Sequence, residues 1–144
     1  MFRSLLTSLI RKLDHLFSRS TSPATIQQYR GKKGEDLAAR YLKQNTSYSI
    51  LLRNWSDGRH EIDLICRDGD TLVFVEVRAR SVSAKVSGYA SINAAKRRSL
   101  RRAAFSYMSS LPQRPRTYRY DAIEIGLKDD EADHIRLYRN IRVF

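Results

Sequence analysis

Two stretches decide the fold of this chain, His60-Glu61-Ile62-Asp63-Leu64-Ile65 and Val73-Phe74-Val75-Glu76-Val77-Arg78. Both are rich in β-branched and apolar residues, with charged side chains inserted at alternate positions, which is typical of β-strands. Between them, Asp68-Gly69 is a strong signal for a two-residue hairpin loop. We therefore expect two antiparallel strands in which Arg67 pairs with Asp70.

The register of this hairpin decides which side chains share a face. It places Asp63 opposite Phe74, so that Asp63 and Glu76 are diagonal neighbours on one face, within reach of a common ion. A slip of one residue would put the two carboxylates on opposite faces. The other face is predicted to be apolar, formed by Ile62, Leu64 and Cys66 from the first strand and by Val73, Val75 and Val77 from the second.

Composition limits the class of protein. The 144 residues suffice for one domain with a core, and 42% of them are apolar. The net charge of +12 predicts an anionic partner, with nucleic acid as the first candidate and an anionic membrane surface as the second. The single cysteine, Cys66, excludes an intramolecular disulfide and a cysteine-cluster metal site. Because we find no membrane-spanning apolar run and no signal peptide, we expect a cytoplasmic protein.

The chain divides into a short N-terminal segment, residues 1–26, and a main domain, residues 27–144. Apolar residues recur at helical spacing over residues 1–18, which predicts an amphipathic helix. The polar, proline-containing residues 18–25 predict a linker. The helix is expected to pack on the main domain or on a protein partner, with a membrane surface as the alternative.

The main domain is predicted to consist of a helix, three strands, a second helix and two further strands. The first three strands form a meander. The second helix, capped by Ser91 and followed by Pro112, crosses over so that the fourth strand lies parallel to a neighbour. The fold class is therefore α/β, a mixed β-sheet flanked by helices. Besides the hairpin, the elements are predicted at residues 30–44, 48–54, 92–110, 117–125 and 134–139.

Three acidic residues are candidates for a metal centre. Asp63 and Glu76 share a sheet face, and Glu35 lies on the inward stripe of the first helix with Ala38 and Leu42. Hard divalent cations such as Mg²⁺ prefer carboxylate oxygens, and such an ion activates water and neutralises phosphate. Taken alone, Glu35 is explained as a helix N-terminal acid favoured by the macrodipole. Together, the three acids predict a centre that cuts phosphodiesters.

Two cations belong with these acids. Arg78 follows Glu76 by two residues and therefore shares its face, where it either neutralises the acids or holds a scissile phosphate. It is a poor general base, because a guanidinium does not deprotonate in proteins. Lys96 lies on the apolar stripe of the second helix with Leu100 and Ala103, and it either reaches inward or extends its amine to solvent.

The remaining basic residues cluster on and around the second helix. No acidic residue interrupts the sequence between Arg78 and Arg119. The cluster favours a surface that binds the phosphates of nucleic acid without reading its sequence, and the alternative is an ordinary solvated helix face. The predicted nucleic-acid contacts are Lys32, Lys33, Arg97, Arg98, Arg101 and Arg102.

The ordered motifs of the main domain resemble those of the YraN family of bacterial proteins. The motifs are Gly31-x-x-Gly34-Glu35-x-x-Ala38, Glu61-Ile62-Asp63-Leu64-Ile65 and Val73-Phe74-Val75-Glu76-Val77-Arg78-x-Arg80, followed by Gly88-Tyr89, Lys96 and Arg119-Tyr120-Asp121. That family is similar to restriction-endonuclease-like nucleases, especially archaeal Holliday-junction resolvases. The resemblance implies a restriction-endonuclease-like fold of order αβββαββ. It also implies a site of helix Glu, strand Asp and Glu-x-Lys, at Glu35, Asp63, Glu76 and position 78.

The chain departs from the nuclease pattern in three places. Arg78 stands where the pattern has Lys, His60 stands where YraN-like sequences usually have Gly, and the proline that often precedes the motif Asp is missing. Asp63 and Glu76 are intact, so metal binding survives these changes better than catalysis does. Lys96 is a candidate for supplying the missing amine from the second helix.

We therefore expect a DNA-binding, endonuclease-like protein that hydrolyses phosphodiesters in structured or branched DNA. Mg²⁺ or Mn²⁺ would be held by Asp63, Glu76 and Glu35, with Arg78 steadying the phosphate. One alternative is a non-catalytic DNA-binding module on a nuclease scaffold, in which Arg78 only neutralises the acids. Another is an adaptor whose first helix recruits a membrane or a protein partner. Resolvases of similar shape act as dimers, so a homodimer is a further expectation from the resemblance.

Overall fold

The computed structural model describes residues 23–144, and the amphipathic helix predicted for residues 1–18 lies outside them. The elements are α1 (Pro23–Asn45), β1 (Ser49–Ser56), β2 (Glu61–Asp68), β3 (Thr71–Ser81), α2 (Ala94–Ser110), β4 (Thr117–Lys128) and β5 (Glu131–Tyr138), with a short 3₁₀ turn at Tyr89–Ser91. Their order is the predicted αβββαββ. The largest difference from the predicted bounds is at the start of α1, which begins at Pro23 instead of residue 30 and therefore includes the last residues of the predicted linker. Proline is tolerated in the first turn of a helix because the N–H groups of that turn have no intrahelical partners.

The five strands form one mixed sheet in the order β1-β2-β3-β4-β5. β3 and β4 are parallel, and the other neighbouring strands are antiparallel. α2 connects the parallel pair, because parallel neighbours need a crossover longer than a hairpin turn. The predicted meander, the crossover and the mixed sheet are therefore confirmed. Within residues 23–144, no helix combines the length and the apolarity that crossing a bilayer requires.

The two helices cover opposite faces of the sheet. α1 buries Leu42 in a cluster with Val75, and α2 buries Leu100 in a cluster with Phe74. All four side chains are fully or almost fully buried, and each buried apolar side chain of this size contributes about 1.5–3 kcal/mol. Because Val75 and Phe74 are adjacent in β3, the alternating faces of this one strand belong to two separate cores.

One predicted face assignment is wrong. Leu64 and Cys66 share one face as expected, and α1 covers that face, but Ile62 packs with Phe74 on the α2 face. The alternation of β2 breaks at Asp63, where the ladder with β3 ends after Leu64. Residue types do not reveal this break, because an isoleucine suits either core.

The β2–β3 loop is Gly69-Asp70, one residue later than predicted. Asp68 pairs with Thr71, so the predicted pairing of Arg67 with Asp70 is wrong. Gly69 has a φ of +57°, which suits the first position of a two-residue hairpin loop. Glycine adopts this backbone conformation without the strain that a side chain would add.

The corrected loop changes the register by two residues. Phe74 pairs with Ile65, so its predicted pairing with Asp63 is wrong. A shift of two residues preserves which side chains share a face. The ladder ends at the pair of Leu64 with Val75, so Asp63 and Glu76 are the next residues of the two strands beyond it.

The start of α2 also differs from the prediction. Asn93, and not Ser91, is the N-cap, since its side-chain oxygen accepts a hydrogen bond from the Lys96 backbone N–H at 2.9 Å. Ser91 belongs to the 3₁₀ turn and donates to the Gly88 carbonyl at 2.6 Å. The cap satisfies one of the free N–H groups of the first turn, and it thereby fixes the turn that carries Lys96.

α1 approaches β3 most closely at Gly34. A Cβ atom built on Gly34 would lie 2.5 Å from Cβ of Ala79, whereas one built on Gly31 would meet nothing within 4 Å. Both glycines lie inside the same helix. Gly34 therefore lets the helix backbone lie against the strand, and this close approach positions the neighbouring Glu35.

We expect Gly31→Ala to stabilise the fold by about 0.5–1 kcal/mol, because alanine is the better helix former and the site is open. Gly34→Ala is expected to destabilise it by about 1 kcal/mol, because overpacking against Ala79 costs more than the helix propensity returns. Urea unfolding of the full chain measures both values. Stabilisation by both substitutions would contradict the close contact between α1 and β3.

Candidate metal and phosphate site

Asp63 lies where β2 separates from β3. Its Oδ2 accepts a hydrogen bond from the Val77 backbone N–H at 2.7 Å, which ties the carboxylate to the strand beside Glu76. The side chain is half-buried. Burial raises the pKa of Asp63, and the Val77 N–H and the nearby charges of Lys96 and Arg78 offset only part of this increase.

Glu76 is a buried carboxylate with two cations on one of its oxygens. Only 2% of the residue is exposed, and Oε1 lies 3.1 Å from Arg78 Nε and 3.2 Å from Lys96 Nζ. The Arg78 Nε–H is not aimed at Oε1 and makes no hydrogen bond within residues 23–144, so this contact is one of charge. The second oxygen, Oε2, is buried and has no hydrogen-bond partner among the same residues. An unpartnered buried oxygen of this kind is costly and calls for an explanation.

The two strand acids influence each other electrostatically. Burial and the charge of Asp63 raise the pKa of Glu76 to about 7, and Lys96 and Arg78 compensate only in part. Neighbouring carboxylates in a poorly solvated site resist ionising together. The site therefore favours the uptake of a proton or of a further cation.

Glu35 reaches this region from the opposite side of the sheet, where α1 packs. It is half-buried. Burial raises its pKa, the Asn54 side chain lowers it through a hydrogen bond, and the charge of Asp63 raises it further. The pKa of Glu35 therefore responds to the charge of Asp63, whereas Glu76 is not among the groups that shift this pKa most.

The predicted set of three acidic ligands is not assembled in this structure. Within residues 23–144, no group of three or more His, Cys, Asp or Glu side chains is arranged to hold a metal ion. The structure brings together Asp63 and Glu76 and leaves Glu35 at their margin. The local donor set is therefore two carboxylates with two neighbouring cations.

Arg78 and Lys96 are the two cations that contact Glu76 in this pair of carboxylates. Arg78 lies beside the acids, as its spacing from Glu76 predicted. Of the two orientations considered for Lys96, the structure shows the inward one, since its amine contacts Glu76. Both side chains remain about a third exposed, at 28% and 30%, so an incoming anion has access to them.

The predicted nucleic-acid contacts fall into two groups. The Arg97 guanidinium donates to the carbonyls of Ile92 and Arg142 and lies 5.6 Å from the ring centroid of Tyr89. It is therefore committed to internal contacts. Lys33 is half-buried and forms an ion pair with Glu131, with 3.8 Å between Nζ and Oε1. The exposed members of the set are Lys32, Arg98, Arg101 and Arg102.

Comparison with known proteins identifies the family. The family model described as Uncharacterised protein family UPF0102 matches residues 34–125. The chain belongs to this family. A UPF0102 protein of Desulfosudis oleivorans is 38% identical over 110 residues, which cover 76% of this chain and 88% of the relative. A UPF0102 protein of Chlorobium limicola is 38% identical over 108 residues, covering 75% and 83%. One from Chlorobium chlorochromatii reaches 48% over 79 residues, covering 55% and 60%. The predicted resemblance to YraN-like proteins is confirmed.

The UPF0102 match includes every residue of the acid and cation cluster and also Gly88. A Cβ atom on Gly88 would lie 2.8 Å from the Arg78 carbonyl oxygen. This glycine therefore allows the segment before α2 to pack directly on β3, next to the site. Its role as a close-approach glycine explains why it belongs with the other motif residues.

Sequence reasoning missed Asn54, near the end of β1, whose side chain lowers the pKa of Glu35. Asn54 has a φ of +51°, and asparagine is one of the few residues that tolerate this left-handed conformation. An asparagine near the end of a predicted strand was the available signal. It indicates a local distortion of β1, and this distortion lies beside Glu35.

Proposed function

We propose that this UPF0102 protein hydrolyses phosphodiester bonds of structured DNA in the cytoplasm, with Mg²⁺ or Mn²⁺ as cofactor. The observation that supports this most is Glu76, a buried carboxylate whose Oε2 has no partner within residues 23–144 and which lies beside Asp63. The net charge of +12 favours a polyanionic substrate.

The residues present fit a hard divalent cation. Asp63 and Glu76 would hold it, because carboxylate oxygens are the ligands that Mg²⁺ prefers, with water and phosphate completing its shell. A cation here would also offset the burial that raises the pKa of both carboxyls, and the charge of Asp63 that raises the pKa of Glu76 further. Glu35 would support the ion from the margin of the site. A bound divalent ion supplies an activated water and neutralises charge on the phosphate.

Two cationic side chains of this protein would bind the substrate. Arg78 and Lys96 converge on Glu76 Oε1, and both are partly exposed. When a phosphodiester enters, these groups would bind its non-bridging oxygens and stabilise the charge that develops on them. Lys96 also takes the place of the lysine that the nuclease pattern has at position 78, because its amine reaches the same carboxylate from α2.

A second candidate function is DNA binding without hydrolysis. Arg78 and Lys96 together supply two positive charges at the Asp63–Glu76 pair, so the pair is balanced in charge without any metal. In that case the protein is a DNA-binding module on a nuclease scaffold. It would bind DNA equally well in the presence of Mg²⁺ and in the presence of a chelator.

Incubation of the full chain with a labelled four-way DNA junction tests the first function against the second. Hydrolysis requires cleavage products in Mg²⁺ or Mn²⁺ and none in chelator. Binding with no products in either metal would refute the hydrolase and leave the binding module.

Arg98 and Arg97 give a matched test of the DNA-binding surface. Arg98 is exposed, and Arg97 is held by backbone carbonyls. We expect Arg98→Ala to reduce the slope of log affinity against log salt by about 1, because one phosphate contact is lost. Arg97→Ala is expected to leave that slope unchanged and to lower stability instead. Equal slopes for wild type and Arg98→Ala would remove α2 from the interface.

A further inference from the structure

A groove of about 720 Å³ opens beside α2. It is formed by α2, the start of β4 and the loop between β1 and β2. Its lining combines aromatic rings with guanidinium groups. The residues that matter here are Arg59, Arg101, Arg102, Phe105, Tyr118 and Tyr120.

Two of the aromatic rings are unusually exposed. Phe105 is 59% exposed and Tyr118 is 49% exposed. Both rings are nevertheless supported: the Arg114 guanidinium lies 5.2 Å from the centroid of Phe105, and Tyr118 packs edge-to-face on Tyr120 at 6.0 Å. Apolar surface that is held in place and yet exposed to solvent does not stabilise the fold, and it is typical of an interaction site.

The charge of the groove selects an anionic ligand. Arg59, Arg101 and Arg102 contribute three positive charges, and the acid that lines the same groove is Asp57. The Asp57 carboxylate accepts hydrogen bonds from the backbone N–H groups of Arg59 and His60, at 2.8 and 2.7 Å. Because this acid is occupied by its own loop, the surface presented to a ligand is basic and aromatic.

We propose that this groove binds unpaired nucleotides of single-stranded DNA, with bases stacked on Phe105 and Tyr118 and phosphates on the arginines. Aromatic rings interleaved with positive charge are how single strands are held, since every base offers a face for stacking. Paired bases inside a duplex do not offer that face. The inference rests on the proposed function, because it names the part of a DNA substrate that this groove receives.

The groove is close enough to the acids to serve the same substrate. Tyr120 is the parallel partner of Phe74, and Phe74 precedes Glu76 by two residues on the same face of β3. Two residues of a strand span about 7 Å. The groove wall at Tyr120 and Glu76 are therefore only about two residues apart along the sheet, on the same face.

Fluorescence anisotropy with the full chain in chelator tests the proposal independently of hydrolysis. The probes are a labelled oligothymidylate and an abasic oligonucleotide of the same length and charge. Wild type is expected to bind the oligothymidylate more tightly. Phe105→Ala and Tyr118→Ala are each expected to weaken that binding by roughly five- to a hundredfold, the range for loss of one stacked base. Phe105→Trp should restore it.

Tyr29→Ala is the matched control, because Tyr29 is 59% exposed, as Phe105 is, but lies on α1. It should leave oligothymidylate binding unchanged. The proposal is overturned if the abasic probe binds as tightly as the oligothymidylate, or if the groove variants behave like Tyr29→Ala. It is also overturned if they weaken only binding to phosphatidylserine vesicles. Thermal melting shows whether each variant is folded. Failure of cleavage leaves this result untouched, since no metal is present.

Discussion

Asp63→Asn is expected to abolish metal-dependent cleavage while leaving the fold intact. The asparagine carbonyl can still accept the hydrogen bond that Oδ2 receives from the Val77 N–H at 2.7 Å, so the position of the side chain is kept. What disappears is the negative charge of one of the two groups that would hold the cation. A loss of several kcal/mol of transition-state stabilisation corresponds to a rate at least about a hundredfold lower. Single-turnover cleavage of a four-way junction in Mg²⁺ measures it.

Asp68→Asn is the control for this prediction, because it makes the same charge change on the same strand. Asp68 lies at the other end of β2, where its Oδ2 accepts a hydrogen bond from Arg119 Nη2 at 2.8 Å and its Oδ1 accepts one from Ser47 Oγ at 2.7 Å. Its variant should cleave at the wild-type rate. Calorimetric titration with Mn²⁺ supplies a second measurement, in which Asp63→Asn should lose binding and Asp68→Asn should keep it. Equal cleavage by wild type and Asp63→Asn would exclude the proposed centre.

The alternating pattern was sufficient to predict the centre of the sheet. Charged residues that recur at alternate positions in an apolar stretch indicate the two-residue period of a strand, which is why β2, β3 and their antiparallel arrangement were predictable, although their register was not. The same period placed Glu76 and Arg78 on one face, and their 3.1 Å contact confirms it. Helical spacing likewise placed Lys96 on the apolar stripe of α2, and its contact with Glu76 decides between the two orientations that the sequence left open.

Other features depend on information that local patterns do not contain. Asp68-Gly69 and Gly69-Asp70 are both acceptable loops, and only the observed pairing of Asp68 with Thr71 decides between them. Helical spacing shows that Glu35 faces a core, but not that α1 covers the opposite face from α2. Arg97 looks like a free surface charge until the Arg142 carbonyl, 45 residues away in sequence, is placed beside it. Contacts distant in sequence therefore set the limits of the prediction.

Glu76→Gln is expected to stabilise the protein at pH 8 by about 2 kcal/mol, even though it removes a proposed ligand. The pKa of Glu76 is raised from 4.5 to about 7 by burial and by Asp63. The ionised carboxylate therefore lowers the stability of the folded state relative to the protonated carboxyl. A pKa difference of this size corresponds to about 3 kcal/mol, with the attraction of Arg78 and Lys96 already included, and the amide is expected to recover about 2 kcal/mol of it because it only approximates a protonated carboxyl. The amide keeps the volume of the side chain without the charge.

The pH dependence follows from the direction of the shift. Between pH 4.5 and about 7 the folded state binds this proton more tightly than the unfolded state does, so wild-type stability falls as the pH rises through that interval and then levels off. In Glu76→Gln this contribution is absent. Urea unfolding across the pH range should therefore show the two proteins diverging above pH 4.5, with the variant the more stable.

Glu124→Gln is the matched control, because Glu124 is also a buried strand glutamate, only 3% exposed. Burial raises its pKa, but hydrogen bonds from the Tyr89 N–H and His134 outweigh burial, and the net shift is downward. Its ionised form stabilises the fold, so Glu124→Gln should lower stability at pH 8. Mg²⁺ should raise the melting temperature of wild type and of Glu124→Gln but not of Glu76→Gln, because a ligand stabilises only a fold that binds it. A loss of stability in Glu76→Gln at pH 8 would instead indicate that Arg78 and Lys96 already neutralise the carboxylate, as the non-catalytic module requires.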